Sequence, residues 1–156
     1  MVSCFINTPL GIAQIRGDAV GISAITIQEG GEESNAIPIV LSDAVQQLQA
    51  YFRGELVHFN FEINPQGTEF QLRVWEELKK ILYGKTVSYL ELSKKLGDAK
   101  AIRAVASANG KNPLWIVIPC HRVIGTDGSL TGYAGGLWRK KWLLEHETPS
   151  GQQTLF

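Results

Sequence analysis

Apolar and polar residues alternate along three short segments near the start of the chain. Residues 3–6, 11–16 and 20–27 show the period of two that is typical of half-buried β-strands, with Gly or Asp residues between them. A helix is expected near residues 42–51. This order of elements predicts a small α/β unit.

Helix and strand patterns both stop at Asn64-Pro65-Gln66-Gly67, because Pro and Gly disfavour regular structure. We therefore predict a domain boundary here. The prediction gives an N-terminal domain over residues 1–64, a second domain over residues 65–148 and a tail over residues 149–156.

The second domain begins with helix signals. Thr68 and Gln71 form a capping box, and apolar residues at helical spacing predict a helix over residues 69–82. Ser88 and Glu91 form a second capping box for a helix that stops at Gly97, and a third helix is expected from residue 99 to about 109. Two short helices around a Gly-containing turn are typical of a helix-turn-helix DNA-binding motif.

The third helix has two different faces. At about 100° per residue, one side is apolar and predicted to pack inward, with Ile102, Val105 and Ala106. The outer arc holds only basic or small side chains, which are Lys100, Arg103, Ala104 and Ser107. An ordinary amphipathic helix would look similar, but a basic face without bulk also suits a helix that presses against a nucleic-acid groove.

The charge distribution favours the same region. The chain of 156 residues is neutral overall, but Lys and Arg number 2 against 7 Asp and Glu in residues 1–64, and 13 against 8 in residues 65–156. The two parts therefore carry net charges of −5 and +5. The basic part is the candidate for binding a polyanion such as DNA.

The composition is that of a globular protein, with 44% hydrophobic and 19% charged residues. No apolar run reaches the roughly 18 residues of a membrane span, and the first residues lack the features of a signal peptide. We therefore expect a cytoplasmic protein whose two cysteines, Cys4 and Cys120, are free thiols.

Cys120 is the candidate nucleophile. It follows an apolar run, residues 115–118, that predicts a buried strand, and it precedes His121 and Arg122. A neighbouring cation or base favours the thiolate form of a cysteine, which is the nucleophilic form. Cys4 has no such neighbours and is expected to be a small core residue.

A histidine base needs a group that orients its ring. Glu147 follows Leu143 and Leu144 at helical spacing, which places its carboxylate on an apolar helix side, where a buried charge would require a partner. As the group that orients the histidine, Glu147 is favoured only slightly over Glu145 by spacing alone. Glu145 has the pattern of a solvated charge.

The motif around Cys120 resembles one protein family. Ile118-Pro119-Cys120-His121-Arg122-Val123 is preceded by Asn112-Pro113 and followed by Gly132-Tyr133-Ala134-Gly135-Gly136 and by Trp142-Leu143-Leu144-Glu145-His146-Glu147. This pattern resembles the methylated-DNA–protein-cysteine methyltransferase family, continuously from about Thr68 to Glu147. Residues 1–64 resemble the family's variable N-terminal domain in length and strand pattern.

The resemblance implies an α/β (α+β) fold. A small ribonuclease-H-like N-terminal domain would precede a mainly helical winged-helix or helix-turn-helix domain. It also implies direct-reversal DNA repair, in which the alkyl group of O6-alkylguanine in double-stranded DNA is transferred once and irreversibly to Cys120. We expect a monomer without cofactor or metal. Activity on O4-alkylthymine and the preference among alkyl groups stay open.

The resemblance also implies roles for individual residues. His121 would activate Cys120 through a water molecule, Glu147 would orient His121, and Asn112 would brace the turn that carries the site. Tyr89 would protonate or hydrogen-bond guanine N3, and Arg103 would fill the gap left by the flipped nucleotide. The substrate pocket would be formed by Val123, whose carbonyl would accept from the guanine amino group, and by the loop with Tyr133, Ala134 and Gly135.

Two other functions compete with this one. A helix-turn-helix regulator or damage sensor would bind DNA without chemistry and would need no acceptor cysteine. A cysteine hydrolase would also use Cys and His, but would need an oxyanion site and a means of regeneration.

The tail ends in Gln152, Leu155 and Phe156, at the spacing of the Gln-x-x-Leu-Phe peptides that dock on the bacterial sliding clamp. We therefore expect the clamp as a second partner. The alternative is that Leu155 and Phe156 fold back on their own domain or have no role.

Overall fold

The computed structural model describes residues 1–148, and the chain divides into two compact units. The first unit is Met1–Gln66, and the second begins at Gly67. The division falls inside the segment Asn64-Pro65-Gln66-Gly67, where Pro and Gly interrupt the regular patterns.

The first unit is a three-stranded antiparallel sheet with one helix, α1 (Ile39–Phe52), packed on its first two strands. The strands are β1 (Val2–Thr8), β2 (Gly11–Gly17) and β3 (Ile22–Gln28), in that order across the sheet. Cys4 pairs with Ile15, and Ile15 pairs with Ile25. All three are fully buried, so Cys4 is a core side chain.

The third strand begins two residues later than the alternation predicts. Asp18 and Val20 belong to a turn, in which the Asp18 carboxylate accepts a hydrogen bond of 2.9 Å from the Val20 backbone N–H. Val20 is 68% exposed as a result. Local side-chain hydrogen bonding therefore overrides the apolar pattern at this end.

The second unit is mainly helical. Its elements are α2 (Glu69–Leu78), β4 (Val87–Ser88), α3 (Tyr89–Lys95), a 3₁₀ turn (Ala99–Ala101), α4 (Ile102–Gly110), a second 3₁₀ turn (Cys120–Arg122), β5 (Val123–Ile124) and α5 (Leu137–Glu147). Helices α3 and α4 pack against each other as the pair of the helix-turn-helix motif. The α/β fold class, with a sheet unit before a mainly helical unit, is confirmed.

Both predicted capping boxes are present. The Thr68 side chain accepts from the backbone N–H of Gln71, and the Ser88 side chain accepts from that of Glu91. In each case the second side chain returns a hydrogen bond to the backbone of the first residue. The starts of α2 and α3 are therefore determined by local sequence.

The end of α2 differs from the prediction. The apolar pattern continues to Leu82, but the helix stops at Leu78. The Ile81 carbonyl accepts a hydrogen bond of 2.7 Å from the Arg122 guanidinium, and Leu82 is 70% exposed. The Lys80 N–H donates to the Glu77 carbonyl and the Ile81 N–H to the Leu78 carbonyl, so the chain leaves the α-helical spacing here. The Arg122 contact, 41 residues away in sequence, holds the segment that follows.

The predicted strand over residues 115–118 is also wrong, because this segment is a turn. The Val117 N–H donates to the Trp115 carbonyl and the Ile118 N–H to the Leu114 carbonyl. Ile116 has a φ of 75°, which is strained for a β-branched residue. The apolar composition reflects burial in the core, not pairing in a sheet.

A short parallel strand pair brings the two halves of the site together. Val87 pairs with Val123, and Ser88 pairs with Ile124. The pairing joins the start of α3 to the strand that follows the Cys120–Arg122 turn. Tyr89 and Cys120 line the same cavity.

Trp75 joins α2 to α4. Its side chain is 2% exposed, and its indole N–H donates a hydrogen bond of 2.9 Å to the Ala108 carbonyl. A side chain on Gly67 would collide with this ring, since a Cβ there would lie 2.5 Å from Trp75 Cη2. The indole therefore fixes the approach of the segment before α2 as well as the position of α4.

Replacing Ser88 with Ala should destabilise the second unit by about 1 kcal/mol, because the first turn of α3 loses its cap. Urea unfolding followed by tryptophan fluorescence measures this, since all 4 tryptophans lie beyond Gly67. Ser88→Thr keeps the hydroxyl and should stay close to the unmodified chain. Equal midpoints for the Ala and Thr variants would contradict the role of the cap.

Candidate active site

A cavity of about 510 Å³ lies in the second unit, between α3, α4 and the loop before α5. Its wall includes the side chains of Tyr89, Arg103, Ala106, Asn109 and Cys120, together with Thr131, Gly132, Tyr133 and Ala134. The sequence predicted Tyr89, Arg103, Cys120, Tyr133 and Ala134 as site residues, and the structure brings these five together.

Asn112 braces the turn that precedes Cys120. Its amide oxygen accepts from the Leu114 N–H at 2.9 Å, and its amide nitrogen donates to the Ile118 carbonyl at 2.7 Å. One buried side chain thus satisfies the backbone on both sides of the strained Ile116. This position matches the bracing role that the family resemblance implies.

Behind Cys120, three buried side chains form one cluster. His121 Nε2 lies 2.8 Å from Glu147 Oε2, and Arg122 binds both carboxylate oxygens of Glu147, at 2.8 and 3.0 Å. His121 is fully buried and Glu147 is 2% exposed. Glu145, in contrast, is an exposed residue that pairs with Lys141 at 3.8 Å.

This geometry fixes the tautomer of His121. A carboxylate only accepts hydrogen bonds, so the hydrogen of a neutral imidazole lies on Nε2. Nδ1 then carries the lone pair, and it is buried without a hydrogen-bond partner among residues 1–148. The ring therefore has a free basic nitrogen on the side away from Glu147.

The charges of the cluster support these protonation states. Burial lowers the pKa of His121 and keeps the ring neutral at pH 7, although Glu147 opposes the shift. Burial alone would raise the pKa of Glu147, but His121 and Arg122 hold it well below its usual range. The carboxylate is therefore ionised while the imidazole is neutral.

Cys120 is a protonated thiol in this state. Burial raises its pKa to about 11, and this effect outweighs the hydrogen bond of Asn112 and the charge of Lys140. The expectation that His121 and Arg122 favour the thiolate is therefore wrong for this state. The Arg122 guanidinium binds Glu147 and the Ile81 carbonyl, and the His121 N–H donates to Glu147, so neither donor offsets the loss of solvation of a thiolate.

Lys140 is a site residue that the sequence did not reveal. It is fully buried in α5, and its ammonium donates to the carbonyls of Val123, Thr131 and Gly132 at 2.6, 2.9 and 3.2 Å. Burial lowers its pKa to about 8. The ammonium therefore ties the strand after Cys120 to the loop of the cavity wall.

The loop packs closely around small residues. Gly135 is buried, and a Cβ at this position would lie 2.8 Å from Tyr133 Cε2 and 2.9 Å from Trp115 Cζ3. Ala134 is exposed on the cavity side. Tyr133 and Ala134 line the cavity, whereas Val123 and Gly135, which were also predicted to form the pocket, are not part of its lining.

Tyr89 reaches the same loop from α3. Its hydroxyl donates to the Thr131 carbonyl at 3.2 Å. Burial raises the pKa of Tyr89, although hydrogen bonds with Thr131 and Asn109 oppose the shift. The phenol therefore keeps its proton at neutral pH.

The four residues predicted on the outer face of the third helix, Lys100, Arg103, Ala104 and Ser107, are all exposed. The helix itself begins at Ile102 and not at residue 99, so Lys100 lies in the 3₁₀ turn before it. Arg103 also lines the cavity. The opposite face differs from the prediction, because Ile102 and Ala106 line the cavity and are only half-buried, whereas Val105 is fully buried.

Comparison with known proteins assigns both units to one family. Residues 1–65 match the ribonuclease-like domain of 6-O-methylguanine DNA methyltransferase, and residues 69–149 match its DNA-binding domain. The chain belongs to the methylated-DNA–protein-cysteine methyltransferase family. The resemblance seen in the motif around Cys120 is therefore confirmed.

Relatives match over almost their full length. The family member of Methanosarcina acetivorans is 42% identical over 153 residues, which cover 94% of this chain and 98% of the relative. That of Mycobacterium bovis is 45% identical over 147 residues, covering 91% and 89%.

Solved structures of family members have the same fold. The Mycobacterium tuberculosis O6-methylguanine methyltransferase superposes with a TM-score of 0.84 at 43% identity, covering 97% of this chain and 94% of the other. A structure of the M. tuberculosis protein in complex with DNA has a TM-score of 0.84 at 44% identity, covering 94% of both chains.

Among residues 1–148, no helix is long and apolar enough to cross a membrane. The tail residues Gln152, Leu155 and Phe156 lie outside the described residues.

Replacing Glu147 with Gln should lower the free energy of unfolding at pH 7 by about 3–5 kcal/mol, because Arg122 becomes a buried charge without its partner. Urea unfolding of the second unit, followed by tryptophan fluorescence, measures this loss. The exposed neighbour provides the control, since Glu145→Gln should change stability by less than about 0.5 kcal/mol.

The same cluster predicts an acid-sensitive fold. The pKa of Glu147 lies below its ordinary value of 4.5, so its carboxylate stabilises the fold above about pH 4.5 and this contribution is lost as the pH falls further. Stability between pH 3 and 6 should therefore change less in Glu147→Gln than in the unmodified chain. If the free energy of unfolding changed equally with pH in Glu147→Gln and in the unmodified chain, the ionised state of Glu147 would be contradicted.

Proposed function

We propose that this chain repairs O6-alkylguanine in double-stranded DNA by a single, irreversible transfer of the alkyl group to Cys120. The family's activity is DNA repair, in which the alkyl group moves to an active cysteine of the protein, and the chain binds DNA. The observation that carries the assignment is the position of Cys120, which lines the cavity and is followed directly in the chain by His121 and Arg122 of the buried cluster with Glu147. The other cysteine, Cys4, is in the core of the first unit.

The proposed reaction is a displacement at carbon. The Cys120 sulfur forms a bond to the alkyl carbon while the bond from that carbon to guanine O6 breaks, and the electron pair of the broken bond passes to the base. His121 Nδ1 accepts the thiol proton through a bridging water molecule. The Glu147 carboxylate stabilises the imidazolium that forms, as in other nucleophile–base–orienter arrangements.

Tyr89 balances the charge on the leaving base. Its protonated hydroxyl is at the cavity wall, where it donates to the Thr131 carbonyl in the absence of substrate. In the complex it would instead donate to guanine N3 as negative charge develops there. If Tyr89 passes its proton to the base, the proton that His121 took from the thiol replaces it by way of solvent. The net change is then one proton moved from the thiol to the base, with His121 and Tyr89 restored.

The loop provides shape and backbone groups. In this proposal Ala134 presents its N–H to O6, Tyr133 and Gly135 wall the pocket, and the Val123 carbonyl receives a hydrogen bond from the guanine amino group. The tight packing of Gly135 on Tyr133 and Trp115 supports a rigid wall. A rigid wall holds the alkyl carbon at the approach distance of sulfur.

DNA would contact the outer face of α4. Ala104 and Ser107 are exposed there, Lys100 is exposed in the 3₁₀ turn before the helix, and Arg103 is exposed and lines the cavity. A base inside a duplex hides its O6 substituent, so the nucleotide must rotate out of the helix. Arg103 would then occupy the vacated space, and the small neighbours would let the DNA approach closely.

The thioether product has no ready leaving path, so one chain would repair one base. The reaction needs no cofactor or metal, because the cysteine is both nucleophile and acceptor. We further propose that the chain acts as a monomer in the cytoplasm. Repair of O4-alkylthymine and docking of Gln152, Leu155 and Phe156 on the sliding clamp stay predictions.

Incubation with duplex DNA containing O6-methylguanine should add one methyl group, about 14 Da, to each chain at Cys120 and then stop. Intact-mass and peptide-mass analysis measure both the stoichiometry and the site. Cys120→Ala should still bind the damaged duplex but transfer nothing. Binding without transfer by the unmodified chain would indicate a sensor, and many turnovers would indicate a hydrolase.

Replacing Arg103 with Ala should slow repair of the duplex by about tenfold or more, because extrusion of the base costs a few kcal/mol that Arg103 offsets. Transfer from free O6-benzylguanine needs no extrusion and should change much less. Lys80→Ala removes an equal charge from an exposed position outside α4 and serves as the control. Equal slowing of both substrates by Arg103→Ala would show that the role of Arg103 is structural.

A further inference from the structure

Strand β3 of the first unit is an edge strand, because the strand order is β1-β2-β3. At its start, Ile22 is bridged on the outer side by the segment at Ile63. Within residues 1–148, no backbone–backbone hydrogen bond joins residues 23–28 to a segment other than β2. Every second residue of such a strand points its N–H and C=O away from the neighbouring strand. Residues 23–28 therefore present unpaired backbone groups along the outer edge.

The opposite edge of the sheet is covered near its middle. The Phe5 carbonyl of β1 accepts a hydrogen bond of 2.9 Å from the Ser34 N–H, and the Phe5 N–H donates to the Ser34 hydroxyl at 2.8 Å. The chain that follows β3 thus protects the edge of β1. The two edges of one small sheet therefore differ in how they are covered.

The side chains of β3 do not prevent pairing with another strand. Residues 22–28 read Ile-Ser-Ala-Ile-Thr-Ile-Gln, with neither a charge nor a proline. Edge strands usually carry charges, proline or a bulge, which keep other chains from pairing with them. The irregularity in the register of β2 and β3 lies at Arg16 and Gly17, next to the end that Ile63 bridges. The rest of the edge can accept an extended peptide as an added strand.

Acidic side chains flank this edge at both ends. Three carboxylates line a cavity of about 460 Å³ together with Ile22 at the start of β3, and they belong to Asp18, Asp43 and Glu62. Three exposed carboxylates follow Gln28 in the chain, and they belong to Glu29, Glu32 and Glu33. An uncharged edge about 20 Å long therefore lies between two acidic groups.

These charges decide which kind of strand fits the edge. If two copies of this chain paired through β3, in either direction, each acidic end would lie beside an acidic end of the other copy, and like charges across a strand pair are unfavourable. A strand with basic residues at both ends would meet carboxylates at both ends instead. The net charge of −5 of residues 1–64 also favours the approach of a cationic segment.

We propose that the outer edge of β3 binds an extended segment of a partner protein as an added strand of the sheet. The segment has an uncharged middle and Lys or Arg at both ends. This surface belongs to the first unit, whereas alkyl transfer is assigned to the second, so the inference is independent of the proposed function. It gives the first unit a binding role of its own.

The test measures the binding of fluorescein-labelled peptides to the full chain by fluorescence anisotropy. The first peptide has a Thr-Val-Thr-Val centre between Lys-Lys ends, and the second has Glu-Glu ends. The third keeps the Lys-Lys ends, but methylated nitrogens in its centre cannot donate the hydrogen bonds of a strand. Thr26 is an exposed residue of β3, so Thr26→Lys adds a charge that disfavours pairing, and Thr26→Val is the matched uncharged control.

We expect the Lys-ended peptide to bind the unmodified chain and Thr26→Val alike, and to bind Thr26→Lys about tenfold more weakly because like charges meet. The Glu-ended and methylated peptides should also bind the unmodified chain about tenfold more weakly. No binding of the Lys-ended peptide, or equal binding of the Lys-ended and methylated peptides, would overturn the inference.

A dimer of the unmodified chain in sedimentation that Thr26→Lys dissociates would also overturn it, since a second copy would then occupy the edge. Alkyl transfer from damaged duplex DNA should be the same in all three chains, which checks that the variants fold. Absence of transfer by the unmodified chain would contradict the proposed function but not this inference.

Discussion

The ion pair between Glu147 and Arg122 is the interaction on which the rest of the site depends. Its two hydrogen bonds, of 2.8 and 3.0 Å, join the end of α5 to the turn that carries Cys120, and the third bond of the guanidinium holds the Ile81 carbonyl after α2. Burying these charges is favourable only because every partner is in place. The same carboxylate fixes the tautomer of His121. One carboxylate therefore connects the turn that carries the thiol, the His121 ring and, through Arg122, the segment after α2.

Buried side chains that bind backbone carbonyls complete this frame. Asn112 stabilises the turn around Ile116, and Lys140 connects Val123 with the loop at Thr131 and Gly132. Neither loop has regular secondary structure that would satisfy its own backbone. The side chains take over that task, so the cavity wall is held by polar contacts as well as by apolar packing. Replacing Asn112 or Lys140 would therefore change the shape of the cavity wall, although neither side chain is assigned a contact with a reacting atom.

The sequence predicted the parts of the fold that local interactions determine. Capping boxes placed the starts of α2 and α3, and the motif around Cys120 placed its thiol next to His121 in the chain. The sequence did not predict contacts between residues that are distant along the chain. Spacing could rank Glu147 above Glu145 only slightly, because the deciding contacts lie 25 and 26 residues away. The sequence did not predict that Lys140 is buried, because lysines are normally exposed. Its three carbonyl partners become adjacent to it only in the folded structure.

The protonated state of Cys120 has a consequence for a protein that would be consumed by its own reaction. A thiol with a pKa of about 11 is almost entirely protonated at pH 7, so it reacts slowly with electrophiles and oxidants in solution. In the proposed reaction, His121 would take the proton while the sulfur bonds to the alkyl carbon, because Asn112 and Lys140 only partly offset the cost of burying a thiolate. Burial would thus couple activation of the thiol to occupation of the cavity. A cysteine with a lowered pKa, as the neighbouring His and Arg suggest from sequence alone, would be more reactive at rest and more easily lost before it met damaged DNA.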